Sequence, residues 1–252
     1  MELSVKLAPD ILFFIGSFPV TNTFFWSLFI SLFLIIFTLF VRARLKLIPG
    51  RLQNIVELLL ENGYSFVKSI IGTEKKTQRV FPLVFTMFFL ILVANLAAYI
   101  PGQSAITLAR QEGPVSLFRA IMSDYSMVFV MTLITFLTTQ IVAIMVHGPF
   151  RYLGKFINFK NPLQFFLGLM DLIGELAKVI SLSFRLFGNI FAGEVLGAVM
   201  LFLAPFFIPL PFMFLGLITA MVQAFVFAVL TLVFITMASE IEEDELTESA
   251  SI

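Results

Sequence analysis

Five stretches of the chain are apolar for long enough to cross a lipid bilayer, and a sixth is apolar along one side only. Residues 21–41, 80–100 and 125–146 each supply the roughly 20 apolar residues a helix needs to span about 30 Å of hydrocarbon. Thr21, Asn22 and Thr23 are N-cap candidates for the first, Pro101-Gly102 closes the second, and His147-Gly148-Pro149 ends the third. In residues 50–71, Leu52, Leu59, Phe66 and Ile70 alternate with Arg51, Glu57, Glu61 and Lys68. This predicts an amphipathic helix, lying on the membrane surface or packed on its neighbours. Residues 1–20, with Pro9, Gly16 and Pro19, read as an irregular approach segment, Thr73 to Arg79 as a basic turn, and 103–124 as a polar loop.

After the N-cap and N1 pair Asn161-Pro162, no strong breaker comes before Pro205; beyond Pro209 and Pro211, residues 211–238 form a second long apolar run. A helix over 162–204 rises about 1.5 Å per residue to about 63 Å, twice the hydrocarbon thickness, so it must tilt steeply or bend. The tail, 239–252, is acidic and reads as solvated. The pattern thus predicts an all-α membrane protein, one polytopic domain over 1–252. It has five crossing helices and one amphipathic surface helix, and the last two crossings form a long, strongly tilted hairpin.

Composition agrees: 60% hydrophobic residues, 13% charged and a mean hydropathy of +1.03 exclude a water-soluble domain of this size. Sixteen basic residues balance sixteen acidic ones without a contiguous basic run, which argues against nucleic acid as a partner. With no Cys and one His, disulfides, iron–sulfur clusters and bis-His haem are excluded, and no metal or other cofactor is expected. Eleven of the basic residues, from Arg42, Arg44 and Lys46 through Arg51, Lys68, Lys75, Lys76 and Arg79 to Arg151, Lys155 and Lys160, lie on alternate loops. Only Lys6, Arg110 and Arg119 lie on the others, so the positive-inside rule puts the N-terminus outside and the C-terminus in the cytoplasm. Glu2, Lys6 and Asp10 precede the first apolar run without a small-residue cleavage site, and no signal peptide is expected.

The 162–204 run contains ionisable groups that lipid disfavours. An arginine at a helix centre costs about 2.5 to 3.5 kcal/mol on translocon scales and roughly 10 to 17 in simulations of an isolated helix. Arg185 therefore needs an anionic partner, a wet cavity, or both. At about 100° per residue, Asp171, Lys178, Ser181 and Asn189 fall on the same side as Arg185, and Glu194 points to the opposite side. Asp171 and Glu175 lie about three turns away with Lys178 as a nearer partner, so the counter-ion of Arg185 is expected on another chain. In the other spans, Asn95 reads as an interhelical hydrogen-bonding residue, and Thr132, Thr135, Thr138, Thr139 and Gln140 as packing residues or the wall of a wet cavity.

The stretch Ser181-Leu-Ser-Phe-Arg-Leu-Phe-Gly-Asn-Ile-Phe-Ala-Gly-Glu194 resembles the signature of subunit a of the F-type ATP synthase. Blocks in the same order extend the likeness over nearly the whole chain: Leu47 to Asn54, Asn95 to Gly102, Val222 to Thr231 and Met237 to Glu240. The resemblance implies a proton-translocating, non-catalytic stator subunit whose tilted hairpin faces a ring of c subunits. Its other partners would be the peripheral-stalk b subunits, the rest of the synthase and membrane lipid. It implies that Arg185 faces the ring carboxylates and separates two aqueous half-channels. Glu194 would exchange protons in the outer one, with Asn189, Gln223 and Ser181 as polar neighbours. Asp171, Glu175 and Lys178 would line the inner half-channel; their spacing equally suits a simple intrahelical charge cluster. Gly216 departs from members that carry an ionisable residue there, and the Glu194 arrangement resembles bacterial and plastid forms, which points to a bacterial plasma membrane.

Two other classes compete with this reading. A secondary transporter usually shows duplicated halves with matching broken helices, and the sequence has no internal repeat. A purely structural respiratory subunit would have no use for an arginine on a polar stripe.

Overall fold

The computed structural model describes residues 9–100, 106–108, 115–149, 152, 162–203, 207 and 209–249, with the side chains of Phe18, Pro162 and 240–249 excepted. The expected turn at Pro205, the Pro101-Gly102 break, the Asn161 cap, and Lys6, Arg110, Arg151, Lys155 and Lys160 lie outside the described residues. Among those described, helices α1 (Asn22–Ala43), α2 (Arg51–Ile71), α3 (Glu74–Ala98), α4 (Tyr125–His147), α5 (Pro162–Leu203) and α6 (Pro209–Ser249) carry the fold. All except α2 are long and apolar enough to span a membrane, so this is an all-α integral membrane protein.

Three elements differ from the sequence expectation. The segment read as irregular contains a hairpin, β1 (Ile11–Ile15) against β2 (Phe18–Thr21), paired antiparallel around Gly16-Ser17. Gly16 has φ +63°, the left-handed conformation that a Gly-first two-residue turn requires and that costs glycine least. The expected basic turn at 73–79 is instead the first part of α3, which starts at Glu74 after an extended Thr73. Glu74 there complements the helix dipole, and it joins Lys68 at the end of α2 through a 2.5 Å ion pair. Finally, α6 starts at Pro209 and stays helical to Ser249, through the acidic stretch read as a tail. That stretch is rich in Glu, which propagates a helix well although its hydropathy is low.

Helix α6 is the central post, packed against α3, α4 and α5. The main core joins Trp26 and Ile30 of α1, Met87 and Ile91 of α3, Val128 of α4, Leu182, Leu186 and Ile190 of α5, and Ala220, Ala224 and Phe227 of α6. A second cluster of Val67, Val84, Ala228, Leu232 and Ile235 seats the C-terminal half of α2 on α3 and α6. Approach there is close, since a Cβ on Gly63 would lie 2.9 Å from the Phe85 ring. The N-terminal half of α2 leaves Leu52, Ile55, Leu58 and Leu59 exposed, as an apolar face turned to lipid would be.

Polar groups fasten the bundle. Thr21 caps α1 by accepting from the Phe24 amide, 3.2 Å away. Next to it the buried Thr23 hydroxyl donates to Asp124 Oδ2 at 2.6 Å, while Asp124 Oδ1 accepts from the Ser126 amide at 3.0 Å. Asp124 thus caps α4 and ties its start to that of α1. Asn95, fully buried, donates to the Ala220 carbonyl at 3.1 Å, an interhelical bond. Thr132, Thr138 and Thr139 bond back to their own helix, and Thr135 meets Thr231 of α6 at 3.3 Å.

Candidate functional site

Leu182, Leu186 and Ile190 recur every fourth residue on α5 and are buried. Ser181, Arg185 and Asn189, each one position earlier, therefore share the neighbouring strip, and all three are exposed. Around them the surface is apolar: Ile180 and Phe184 on α5, with Met221, Val222 and Phe225 on α6, are exposed as well. Among the described residues, Arg185 makes no ion pair and no hydrogen bond. A permanent cation thus stands without a partner among the described residues, on a face suited to lipid or to another protein.

Asn189 does not stand alone. Its Nδ2 donates to Gln223 Oε1 across the α5–α6 contact at 2.7 Å, and Gln223 is 3% exposed. The Gln223 Nε2 has no partner among the described residues, which leaves one donor in the site unsatisfied.

Two cavities flank this strip. The larger, about 450 Å³, is lined by Thr139, Gln140 and His147 of α4, by Asp171, Glu175 and Lys178 of α5, by Phe234 of α6 and by Tyr152, which lies between α4 and α5 in the sequence, among others. Inside it Lys178 donates to Glu175 at 2.7 Å, and Gln140 Nε2 reaches the other Glu175 oxygen at 3.3 Å. Tyr152 donates to the Gln140 carbonyl oxygen, and His147 Nε2 lies 3.1 Å from the Ala238 carbonyl. The three α5 residues anticipated here do share one cavity. Lys178 pairs with Glu175, because the i,i+3 spacing brings the two heads together.

The second cavity, about 210 Å³, lies toward the other end of the bundle, lined by Tyr99, Ile190, Gly193, Glu194, Gly197 and Met213, among others. Glu194 is partly buried, with Ser123 and Arg119 as polar neighbours; the Ser123 hydroxyl itself donates to the Ala120 carbonyl at 2.9 Å. Arg119 Nε also reaches Ser123 Oγ at 3.4 Å. Along α5, Glu194 lies about 14 Å from Arg185 and Glu175 about 15 Å on the other side, at about 1.5 Å per residue. Arg185 is therefore midway between the two cavities. Tyr99 and Ser123 escaped the sequence reading. Tyr99 ends an apolar run and Ser123 is one polar residue among many in the 103–124 loop, so nothing local marks either one, and only long-range packing brings them to Glu194.

Residues 24–236 match the family described as ATP synthase A chain. The chain belongs to that family. It is 34% identical to ATP synthase subunit a of Campylobacter concisus over 219 residues, which cover 86% of this chain and 88% of the relative. The same protein of Helicobacter hepaticus is 33% identical over 87% of this chain and 90% of its own length. That of Moorella thermoacetica is 33% identical over 90% and 94% respectively. As a member of the subunit a family, the chain is a non-catalytic, multi-pass membrane subunit of the ATP synthase, within its proton-translocating Fo sector.

Proposed function

We propose that this chain is the stator half of the proton path, with Arg185 facing the carboxylates of a rotating c-subunit ring. The observation that carries the reading is a guanidinium with no partner among the described residues, on an exposed apolar face midway between two cavities that each hold an acidic side chain. Protons enter and leave through the cavities, which serve as half-channels. The one holding Glu194 opens to the outside, and the one holding Asp171, Glu175 and Lys178 opens to the cytoplasm. Arg185 draws the proton off each ring carboxylate and, as a fixed positive charge, keeps protons from passing straight between the cavities. The Asn189–Gln223 bond holds a polar pair beside that charge, and Ser181 extends the strip by one turn.

In the membrane the α5–α6 hairpin lies strongly tilted, with the N-terminus outside and the C-terminus in the cytoplasm. The membrane is a bacterial plasma membrane, and the further partners are the peripheral-stalk b subunits and lipid.

The chain contains no cysteine, so single cysteines can map the ring face directly. Phe184→Cys and Val222→Cys are expected to form disulfides with cysteines placed beside the ring carboxylate, and the link should stop proton pumping. Leu39→Cys, on exposed α1, should not link. Equal linking from all three sites, or linked complexes that still pump, would remove the α5–α6 face from the ring.

A further inference from the structure

Two glycines on different helices make room for one hydroxyl. A Cβ built on Gly216 of α6 would lie 2.5 Å from the Tyr99 hydroxyl oxygen and 2.9 Å from its ring carbon Cε1. One built on Gly193 of α5 would lie 2.9 Å from the same oxygen. Any larger side chain at Gly216 meets both the hydroxyl and the ring, so the phenol stands where it does because both positions lack a side chain. Tyr99 is fixed at the other end as the C-terminal cap of α3, its amide bonding to Leu96 O at 3.1 Å. Gly193 is the immediate neighbour of Glu194, and Tyr99 and Glu194 line the same cavity of about 210 Å³, which has room for several waters.

We propose that the Tyr99 hydroxyl is a proton-relay group on the Glu194 side of the membrane, passing protons through cavity water to and from the carboxylate. The inference rests on the proton path proposed above and adds one residue to it. At each transfer the phenolic oxygen accepts a proton from one neighbour as its own O–H proton leaves to the next. The phenol is neutral before and after, and no other reactant is consumed. A hydroxyl, both donor and acceptor, suits this role; a phenylalanine ring fills the same space without it.

The test uses the whole synthase in inverted vesicles. Tyr99→Phe keeps the ring, so assembly and the ATP hydrolysis of the detergent-uncoupled complex should match the native protein. ATP-driven proton uptake should fall by roughly two- to tenfold, the scale of one lost hydrogen bond. Gly216→Ala should cause a similar fall by displacing the hydroxyl, and no further fall when combined with Tyr99→Phe. Glu194→Gln is measured alongside. Slowed uptake in Glu194→Gln with native uptake in Tyr99→Phe overturns the relay and leaves the path standing, as does full additivity of the Tyr99 and Gly216 changes. Native uptake in Glu194→Gln removes Glu194 from the proton path, and the relay with it.

Discussion

Arg185→Ala separates the two tasks assigned to the guanidinium. A ring carboxylate about 4 Å from Arg185 interacts with it by about 4 kcal/mol at an effective dielectric of about 20, which is roughly a thousandfold in proton affinity. Among the described residues Arg185 has no carboxylate partner to absorb that charge. Removing it therefore leaves the ring carboxylate protonated as it passes, and release slows by about the same thousandfold factor. ATP synthesis driven by an imposed proton gradient should fall to background. The two cavities remain, because their linings do not include Arg185, and a passive proton leak should appear across the membrane sector. Arg185→Lys should also largely fail: its ammonium is shorter in reach, more strongly hydrated and lacks the planar fork of donors. Both variants should still assemble, since an exposed cation contributes no contact to the core. Vesicles carrying Arg185→Ala that still made ATP from the gradient would refute the reasoning.

Glu194→Gln keeps the shape and hydrogen-bonding capacity of the side chain but holds no exchangeable carboxyl proton. ATP-driven pumping in inverted vesicles should slow at every pH tested while the complex assembles normally, and native pumping would reduce Glu194 to a structural role. Thr23→Val removes the buried donor to Asp124 Oδ2 and leaves a carboxylate oxygen without its partner. That should cost about 1.5 to 3 kcal/mol. It should be read as a lower thermal midpoint of the detergent-solubilised chain, and an unchanged midpoint would mean that Asp124 finds another donor.

The long-range architecture follows from features that a sequence displays openly. Apolar runs of bilayer length, proline at the start of α5 and glycine after His147 are local signals, and α1, α4 and α5 lie close to where those signals put them. The departures share a cause. Hydropathy reports where lipid begins, whereas a helix continues as long as its residues favour it, so α3 starts in a charged stretch and α6 runs through an acidic one. The hairpin at 11–21 had a signal of its own, a Gly-Ser pair between two apolar runs, but Pro19 weighed against a strand; it is tolerated because a two-stranded ribbon has only edges. The polar strip on α5 was legible because one helix sets its angular spacing. Tyr99, Ser123 and the Asn189–Gln223 bond were not, because each depends on how separate helices pack.

The lone guanidinium also bears on the chain before it joins the complex. Alone in a bilayer, the α5 face presents a charge that hydrocarbon penalises by about 2.5 to 3.5 kcal/mol on translocon scales. Docking against a carboxylate-bearing partner relieves that penalty. In the proposed arrangement an orphan copy would differ from an assembled one at Arg185, and the charge assigned to the motor would also give surveillance of unassembled subunits something to recognise.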